Sequence, residues 1–265
     1  MKFTDFDFSR PVYMAIVNAT PDSFSDGGAY FSEDYNPIKA VDAALTLEDQ
    51  GADIIDLGGE STRPAAASVS LEEELRRLEP VLEKLDGRLE IPLSVDTYKY
   101  QVAQSALERG AAIINDVTGG TDPLMRAVWS AFQPGVIIMH HLPGLLGGAG
   151  TSKNAAQQAS QSNYRDVVEE VYEELQRRRD AAIQDGLPKE NIALDVGIGF
   201  GKTEKDNWAL LENIHEFHSL NCPLVVGVSR KRFINFSDEK TVEIGKRLID
   251  QGVQILRVHK LPPQN

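Results

Sequence analysis

The sequence predicts an α/β chain folded as one (β/α)8 barrel over residues 1–265. Eight short apolar runs recur along the chain, and each is continuous rather than alternating, as in parallel strands buried on both faces. Strand–helix alternation with eight strands is typical of such a barrel. A doubly wound open sheet is the alternative fold that fits this pattern. The runs cover residues 12–17, 53–58, 91–95, 111–115, 135–139, 191–195, 223–228 and 253–258.

Helical segments separate most of these runs. The clearest begins at Ser70, with Glu73 three positions later, and this spacing predicts a capping box at the start of a helix over 70–85. Other helical patterns cover residues 38–51, 100–110 and 165–186. The Gly- and Ser-rich segment 142–163 predicts a single mobile loop.

The end of the chain departs from the repeating pattern. Seven residues, 259–265, follow the last apolar run, which is too few for an eighth helix. We therefore expect a shortened carboxyl-terminal part in which the eighth helix is missing. The side of the barrel beside the last strand is then left uncovered, or is covered by another subunit or by the amino-terminal segment.

Composition narrows the classes of partner and the compartment. Lys and Arg number 27 and Asp and Glu number 40, a net charge of −13 that argues against nonspecific nucleic-acid binding. No run approaches the ~18 apolar residues of a membrane span, and the first residues lack the apolar core of a signal peptide. The single cysteine, Cys222, cannot form an intramolecular disulfide. These features predict a cytoplasmic protein without membrane or nucleic-acid partners.

Polar residues follow the apolar runs at the ends where a barrel carries its active site. Asp96, Asn115 and Asp195 offer acceptors that suit the N–H edge of a guanidine-like heterocycle. A second group offers cationic donors that suit a phosphate or diphosphate, namely Arg63, Lys231, Arg257 and His259. A polar heterocycle joined to an anionic leaving group would satisfy both halves.

Competing motifs fit less well. The segment 197–203 resembles a phosphate-binding loop, but Val196 occupies the position of its first glycine. The dinucleotide pattern also fails, because Lys202 replaces its last glycine. His140 and His141 could bind a metal, although adjacent side chains usually diverge and no third ligand has a recognisable spacing.

Ordered motifs make the chain similar to the dihydropteroate synthase family, whose members are pterin-binding barrels. The resemblance covers about residues 12 to 260, and its most specific parts are NATPDSFSDGG and GGESTRP. The motifs are NATPDSFSDGG (18–28), GADIIDLGGESTRP (51–64), PLSVDT (92–97), AAIINDVTGG (111–120), MHHLPG (139–144), DVGIGFGK (195–202), VGVSRK (226–231) and GVQILRVHK (252–260).

This resemblance implies an alkyl-group transferase of folate biosynthesis. The implied reaction joins 6-hydroxymethyl-7,8-dihydropterin diphosphate to p-aminobenzoate and releases diphosphate, with Mg2+ as cofactor and sulfonamides as competing ligands. The implied catalytic residues are Asp22, Asp96, Lys231, Arg257 and His259. The implied substrate-binding residues also include Thr62, Arg63, Pro64, Asn115, Met139, Asp195, Phe200, Gly227 and Ser229, with Asn18 as the metal ligand.

Departures from the family pattern leave two alternatives open. The segment between residues 232 and 251 is shorter than is usual in the family and lacks its helix-start motif. The missing last helix counts against the homodimer that the family forms through its last helices. The chain could therefore be a pterin-binding homologue without synthase activity. A methyl-tetrahydrofolate methyltransferase is the third hypothesis, but it would not need NATPDSFSDGG or GGESTRP.

Overall fold

The computed structural model describes residues 1–20, 36–60, 68–142, 164–229 and 231–262. Parallel strands close into a barrel in the order β1-β2-β3-β4-β5-β6-β7-β8. The predicted (β/α)8 barrel is confirmed, and the open-sheet alternative is wrong because β1 pairs with β8. The strands are β1 (Val12–Asn18), β2 (Ile54–Gly58), β3 (Leu93–Asp96), β4 (Ile113–Asp116), β5 (Gly135–Met139), β6 (Ile192–Asp195), β7 (Leu224–Val226) and β8 (Ile255–Val258).

Amphipathic helices pack around the strands, and all four predicted helical segments are confirmed. In the described part of the chain the helices are α1 (Pro37–Asp49), α2 (Leu71–Leu85), α3 (Tyr100–Glu108), α4 (Pro123–Phe132), α5 (Val167–Gln184), α6 (Glu204–Glu212) and α7 (Asp238–Asp250). None of them is long and apolar enough to cross a membrane. The loop predicted over 142–163 lies almost entirely outside the described residues.

Local capping explains where two of these helices begin. Ser70 Oγ accepts a hydrogen bond from Glu73 N at 3.2 Å, so the Ser70 half of the predicted capping box is confirmed. The Glu73 carboxylate instead binds Arg76 and Arg77 on its own helix. Helix α7 begins in the segment that departs from the family pattern, where Ser237 Oγ accepts from Lys240 N at 3.1 Å. The shortened segment therefore still forms a capped helix.

Helix α7 also helps to cover β8. A Cβ added at Gly245 would lie 3.4 Å from Leu256 Cδ1, so the helix approaches the strand closely. Leu256 and Val258, on the outer face of β8, are buried. No helix follows β8 in residues 259–262, the last part that the structure describes. The amino-terminal segment lies elsewhere, at the amino ends of the strands.

The barrel interior is apolar toward the amino ends of the strands. Phe3, from a short 3-10 helix at Phe3–Asp5, is fully buried and closes this end. It packs with inward-facing side chains of seven strands, namely Val12, Met14, Ile54, Ile113, Ile137, Ala193, Val225 and Ile255. This layer supplies a rigid floor beneath the functional end of the barrel.

Replacing Phe3 by Ala should destabilise the protein by about 3–5 kcal/mol, since the substitution leaves a cavity in the barrel floor. The free energy of unfolding, measured by urea denaturation, checks this. Phe132→Ala is the matched control, because Phe132 is 43% exposed and should cost about 1 kcal/mol or less. Equal losses for the two variants would show that Phe3 does not seal the barrel.

Candidate active site

Polar side chains occupy most of the inward positions two residues further along these strands. Side chains on a strand alternate between faces, so residues two positions apart point the same way. Asp56 lies two residues beyond Ile54, and Arg257 lies two residues beyond Ile255. The same spacing places a layer above the apolar floor, consisting of Asp56, Asp96, Asn115, Met139, Asp195, Gly227 and Arg257. Six of these seven residues are among those named from the sequence, and Asp56 is not.

A hydrogen-bonded cluster centres on Asp56. Arg257 Nε donates to Asp56 Oδ2 at 2.7 Å, and Arg257 Nη2 donates to Asp96 Oδ2 at 2.6 Å. Asn115 Nδ2 donates to Asp56 Oδ2 at 3.2 Å, and Ser94 Oγ donates to Asp56 Oδ1 at 2.8 Å. Side chains of four strands therefore meet at one carboxylate. The cluster holds two carboxylates and one guanidinium, so the Arg charge is shared between them.

Asp56 was not among the site residues predicted from the sequence, because it lies inside an apolar run rather than after one. A signal was nevertheless present. A carboxylate within a parallel strand buried on both faces must find a cation or several hydrogen-bond donors. Asp56 is fully buried and has both. Interrupted apolar runs are therefore as informative as the polar residues that end them.

Asp96 keeps one oxygen without a protein partner. Its Oδ1 atom is buried and accepts no hydrogen bond from the described residues. Burial raises the pKa of Asp96 to about 7, and although the Arg257 charge opposes this shift, Asp56 adds to it. A buried acceptor without a protein partner is suited to the N–H group of a ligand.

Asp195 lies at the end of β6, where it also starts a glycine-rich loop. Its Oδ1 atom accepts a hydrogen bond from Gly197 N at 2.7 Å. Gly197 has φ +68, and an added Cβ would lie 1.8 Å from His140 O, so this position requires glycine. Burial raises the pKa of Asp195, against the opposing hydrogen bond from Gly197 N.

Lys202 holds this loop against the end of β5. Its amine is 2.9 Å from both His140 Nδ1 and Gly197 O. Burial lowers the pKa of Lys202 to about 7. The lysine of the phosphate-loop-like segment thus points into the protein, where it binds loop carbonyls. Because its amine binds these carbonyls, Lys202 is not available to a phosphate, and the segment is not a phosphate-binding loop.

Lys231 and Phe200 form one wall of the mouth. Lys231 Nζ lies 4.5 Å from the centre of the Phe200 ring, within the range of a cation–π contact. Burial and the Arg257 charge lower the pKa of Lys231 to about 8, while Asp195 and Asp96 oppose the shift. A Cβ at Gly199 would come within 3.2 Å of Lys231 Cδ, so the loop packs directly on this side chain.

Ser229 and His259 meet at the ends of β7 and β8. Ser229 Oγ is 3.1 Å from His259 Nδ1 and accepts from His259 N at 3.3 Å. Gly227 lies beside Arg257, since a Cβ added there would be 3.6 Å from Arg257 Cβ. The structure therefore brings the predicted residues of β7 and β8 together on one side of the mouth.

Asn18 and Met139 end β1 and β5. A Cβ added at Gly58 would lie 3.8 Å from both Asn18 Oδ1 and Asp96 Cβ. The Asn18 amide oxygen is therefore close to the Asp96 side chain. Met139 is a register partner of Asp195, so the two side chains point into the barrel together. Both positions face the same mouth.

Asn18, at the end of β1, has an amide oxygen, the type of ligand atom that Mg2+ prefers. Mg2+ commonly takes only one or two protein oxygens and completes its shell with water and substrate phosphate. The Asn18 amide oxygen fits that role. Among the described side chains, no group of three His, Cys, Asp or Glu residues could hold a metal ion.

The histidine pair at the end of β5 is not arranged as a metal site. His140 Nδ1 faces the Lys202 amine at 2.9 Å, so its lone pair is already engaged. Burial lowers the pKa of His140 to about 2 and that of His141 to about 4. Both rings are buried behind the glycine-rich loop, so they are packing residues.

Four predicted site residues lie outside the described part of the chain, namely Asp22, Thr62, Arg63 and Pro64. Their neighbours Glu60 and Lys99 form an ion pair at 2.5 Å, where β2 ends and α3 begins. Arg257, which the sequence analysis grouped with an anion, also contacts Asp96, a carboxylate assigned to the heterocycle. Arg257 therefore lies between the residues assigned to the heterocycle and those assigned to the anion.

Comparison with known proteins identifies the family. The profile described as "Pterin binding enzyme" matches residues 14–259. The dihydropteroate synthase of Bacillus subtilis is 39% identical over 259 residues, which covers 94% of this chain and 84% of the relative. The chain belongs to the dihydropteroate synthase family. The family resemblance read from the sequence motifs is thereby confirmed.

Solved structures of dihydropteroate synthases have the same fold. The Xanthomonas albilineans enzyme with 4-aminobenzoic acid is 38% identical, with a TM-score of 0.83 and coverage of 96% of this chain and 89% of that one. The Yersinia pestis enzyme in a sulfonamide complex is 36% identical, with a TM-score of 0.84 and coverage of 96% and 90%. These structures place ligands of the family on barrels closely similar to this one.

Proposed function

We propose that this chain is a dihydropteroate synthase, which condenses 6-hydroxymethyl-7,8-dihydropterin diphosphate with p-aminobenzoate. Family membership supports this activity, as does the agreement with relatives over most of the chain. The observation that carries the assignment is the inward layer of buried acceptors, above all Asp96 Oδ1, which has no partner among the described residues. An aminopyrimidinone edge presents N–H donors to such acceptors.

The pterin ring lies in the polar layer of the barrel. Asp96 Oδ1, Asn115 and Asp195 bind its polar edge, and Lys231 donates to its ring acceptors. Only one donor, Gly197 N, contacts Asp195 Oδ1 in the described residues, so further acceptor capacity on this carboxylate serves the ligand. Met139 lines the apolar face of the ring. These contacts fix the pterin methylene at the mouth.

The reaction is a displacement at the pterin methylene. The C–O bond to diphosphate breaks with its electron pair leaving on diphosphate, and the arylamine nitrogen of p-aminobenzoate forms the new C–N bond. The nitrogen then loses one proton to water, so the products are 7,8-dihydropteroate, diphosphate and a proton. Asp96 and Asp22 stabilise the developing positive charge on the pterin.

The leaving group lies where β1 and β8 end. His259 and Arg257 donate to the diphosphate, with Thr62 and Arg63 completing the set from beyond the described residues. Mg2+ held by the Asn18 amide oxygen supplies further positive charge to the phosphate oxygens when bound.

The p-aminobenzoate site lies against the wall of the mouth that Phe200 and Lys231 form. Phe200 offers a face for the benzene ring, while Lys231 and Ser229 offer donors near its carboxylate, and Pro64 and Gly227 border the site. Sulfonamides share the arylamine and compete there, as the complex of the Yersinia pestis relative suggests.

A diphosphate-release assay tests the proposed activity. The enzyme with the pterin diphosphate and Mg2+ should release diphosphate only when p-aminobenzoate is present, and 7,8-dihydropteroate should appear in equal amount. Pterin binding without release would identify a homologue that lacks synthase activity. Methyl transfer from methyl-tetrahydrofolate in place of release would identify the third hypothesis.

Pterin affinity should rise with pH up to about 7. The pKa of Asp96 is raised to about 7 by burial, so below that pH its carboxyl group holds a proton that the ligand must displace. Affinity should therefore fall by up to about tenfold per pH unit on the acid side and level off above the pKa. Calorimetry of 6-hydroxymethyl-7,8-dihydropterin between pH 5 and 8 measures this. A flat profile would contradict the proposed role of Asp96.

We propose a cytoplasmic location for the enzyme, in keeping with the buried free thiol of Cys222. Sedimentation of the full chain tests the homodimer, which the sequence leaves possible but disfavours. A sedimenting species of twice the chain mass would show that the dimer forms.

A further inference from the structure

Asp56 is the most heavily bonded side chain of the polar layer. It is fully buried on β2 and faces the barrel interior. Its two oxygens accept from Ser94 of β3, Asn115 of β4 and Arg257 of β8. Both oxygens are engaged by protein donors, Oδ1 by Ser94 and Oδ2 by Arg257 and Asn115, so its observed contacts are with the protein. Its neighbours Asn115 and Arg257 are substrate residues in the function proposed above, on which this inference rests.

The geometry of the guanidinium shows what Asp56 changes. Arg and a single carboxylate prefer a fork in which two parallel N–H groups bind both oxygens. Here Asp56 Oδ2 accepts from Arg257 Nε at 2.7 Å and also lies 2.6 Å from Nη2, which in turn donates to Asp96 Oδ2 at 2.6 Å. Asp96 is thereby bound through one oxygen, and Oδ1 has no partner among the described residues.

We infer that Asp56 is a positioning residue that keeps Arg257 from taking both oxygens of Asp96. By binding Nε, it fixes the plane of the guanidinium so that Asp96 Oδ1 stays available to the pterin. It also orients Asn115 through the hydrogen bond to Oδ2. Without Asp56, the Arg257 guanidinium rotates and donates to both oxygens of Asp96. Asp96 Oδ1 is then no longer available to the ligand.

Asp56→Asn tests this because it keeps the shape but removes the charge that holds Nε. The variant should bind 6-hydroxymethyl-7,8-dihydropterin at least about tenfold more weakly by calorimetry, the loss of one charged hydrogen bond. Its KM for p-aminobenzoate, measured at saturating pterin diphosphate, should stay within about twofold of wild type. A structural defect alone would raise both constants.

Asp53→Asn is the matched control. Asp53 precedes the same strand and also binds an arginine, Arg10, whose Nη1 and Nη2 donate to its two oxygens at 3.1 and 2.5 Å, but it lies at the opposite end of the barrel. The control should change neither the pterin affinity nor the KM. If it weakens pterin binding as much as Asp56→Asn does, the effect is general destabilisation and the inference is wrong.

A double-mutant cycle shows whether Asp56 acts through Arg257. Coupled residues give non-additive losses, whereas independent residues add. The pterin affinity of the double variant, Asp56→Asn with Arg257→Gln, should therefore lie within about twofold of the affinity of Arg257→Gln alone. Fully additive losses would overturn the inference.

Ser94→Ala provides a variant that stays informative if Asp56→Asn does not fold. It removes one donor from Asp56 Oδ1 and leaves the carboxylate charge in place. The pterin affinity should fall by about threefold with the KM for p-aminobenzoate unchanged, and an unchanged pterin affinity would overturn the inference. If the wild-type enzyme does not release diphosphate, the proposed function is wrong. This result differs from an unchanged pterin affinity in the variants, which would contradict only the role of Asp56.

Discussion

Asp195→Asn and Asp96→Asn should each weaken pterin binding by at least about 100-fold, a loss of ~3 kcal/mol for a buried charged acceptor. In Asp195→Asn, one amide oxygen can still accept from Gly197 N. The new NH2 group then points at the N–H edge of the ligand, and two donors face each other. In Asp96→Asn the same conflict arises either with Arg257 Nη2 or with the ligand.

Calorimetry with 6-hydroxymethyl-7,8-dihydropterin measures these losses directly. Asp250→Asn is the control, since Asp250 is exposed at the end of α7 and should leave the affinity unchanged. Thermal unfolding of each variant separates binding from folding. Unchanged affinity in both active-site variants would mean that the pterin does not bind in the polar layer.

Much of the barrel was predictable because its strands are buried on both faces. Such strands have to be continuously apolar, so their positions stand out without any knowledge of their partners. The period of two then determines which residues face inward, and Asn115, Asp195 and Arg257 follow from the apolar residues two positions before them. Strand order and side-chain direction were thus encoded locally.

Contacts between distant strands were not encoded in this way. Arg257 meets Asp56 across 201 positions of sequence, and only closure of the barrel brings β8 near β2 and β3. Charge type alone suggested an anion as the partner of Arg257. The structure adds two protein carboxylates as partners of Arg257, and these decide how much of the guanidinium remains for a substrate.

Lys202 shows a second limit of local pattern. Glycines before a lysine suggested a phosphate loop, and only the spacing argued against it. In the structure the glycines serve close packing, with Gly197 against His140 O, and the lysine binds loop carbonyls. The same residue types thus build either an anion site or an internal brace, depending on where the backbone N–H groups point.

Lys231→Met should lower kcat by about 100-fold, because it removes a cation that touches both proposed subsites. The Lys231 amine lies over Phe200 on the p-aminobenzoate side, and the charges of Asp195 and Asp96 on the pterin side act on it. Methionine keeps the length and the apolar contact with Gly199 but cannot donate. The pterin methylene is then no longer held against the attacking nitrogen.

Steady-state assays at saturating concentrations of both substrates measure this loss, and Lys246→Met, an exposed lysine of α7, is the matched control. Burial lowers the pKa of Lys231 to about 8. Wild-type activity should therefore decline above that pH as the amine loses its proton, and this decline should be absent in Lys231→Met. If the variant retains kcat within about threefold and the same alkaline decline, Lys231 is only part of the wall, and the arylamine must be positioned by Phe200 and Ser229 alone.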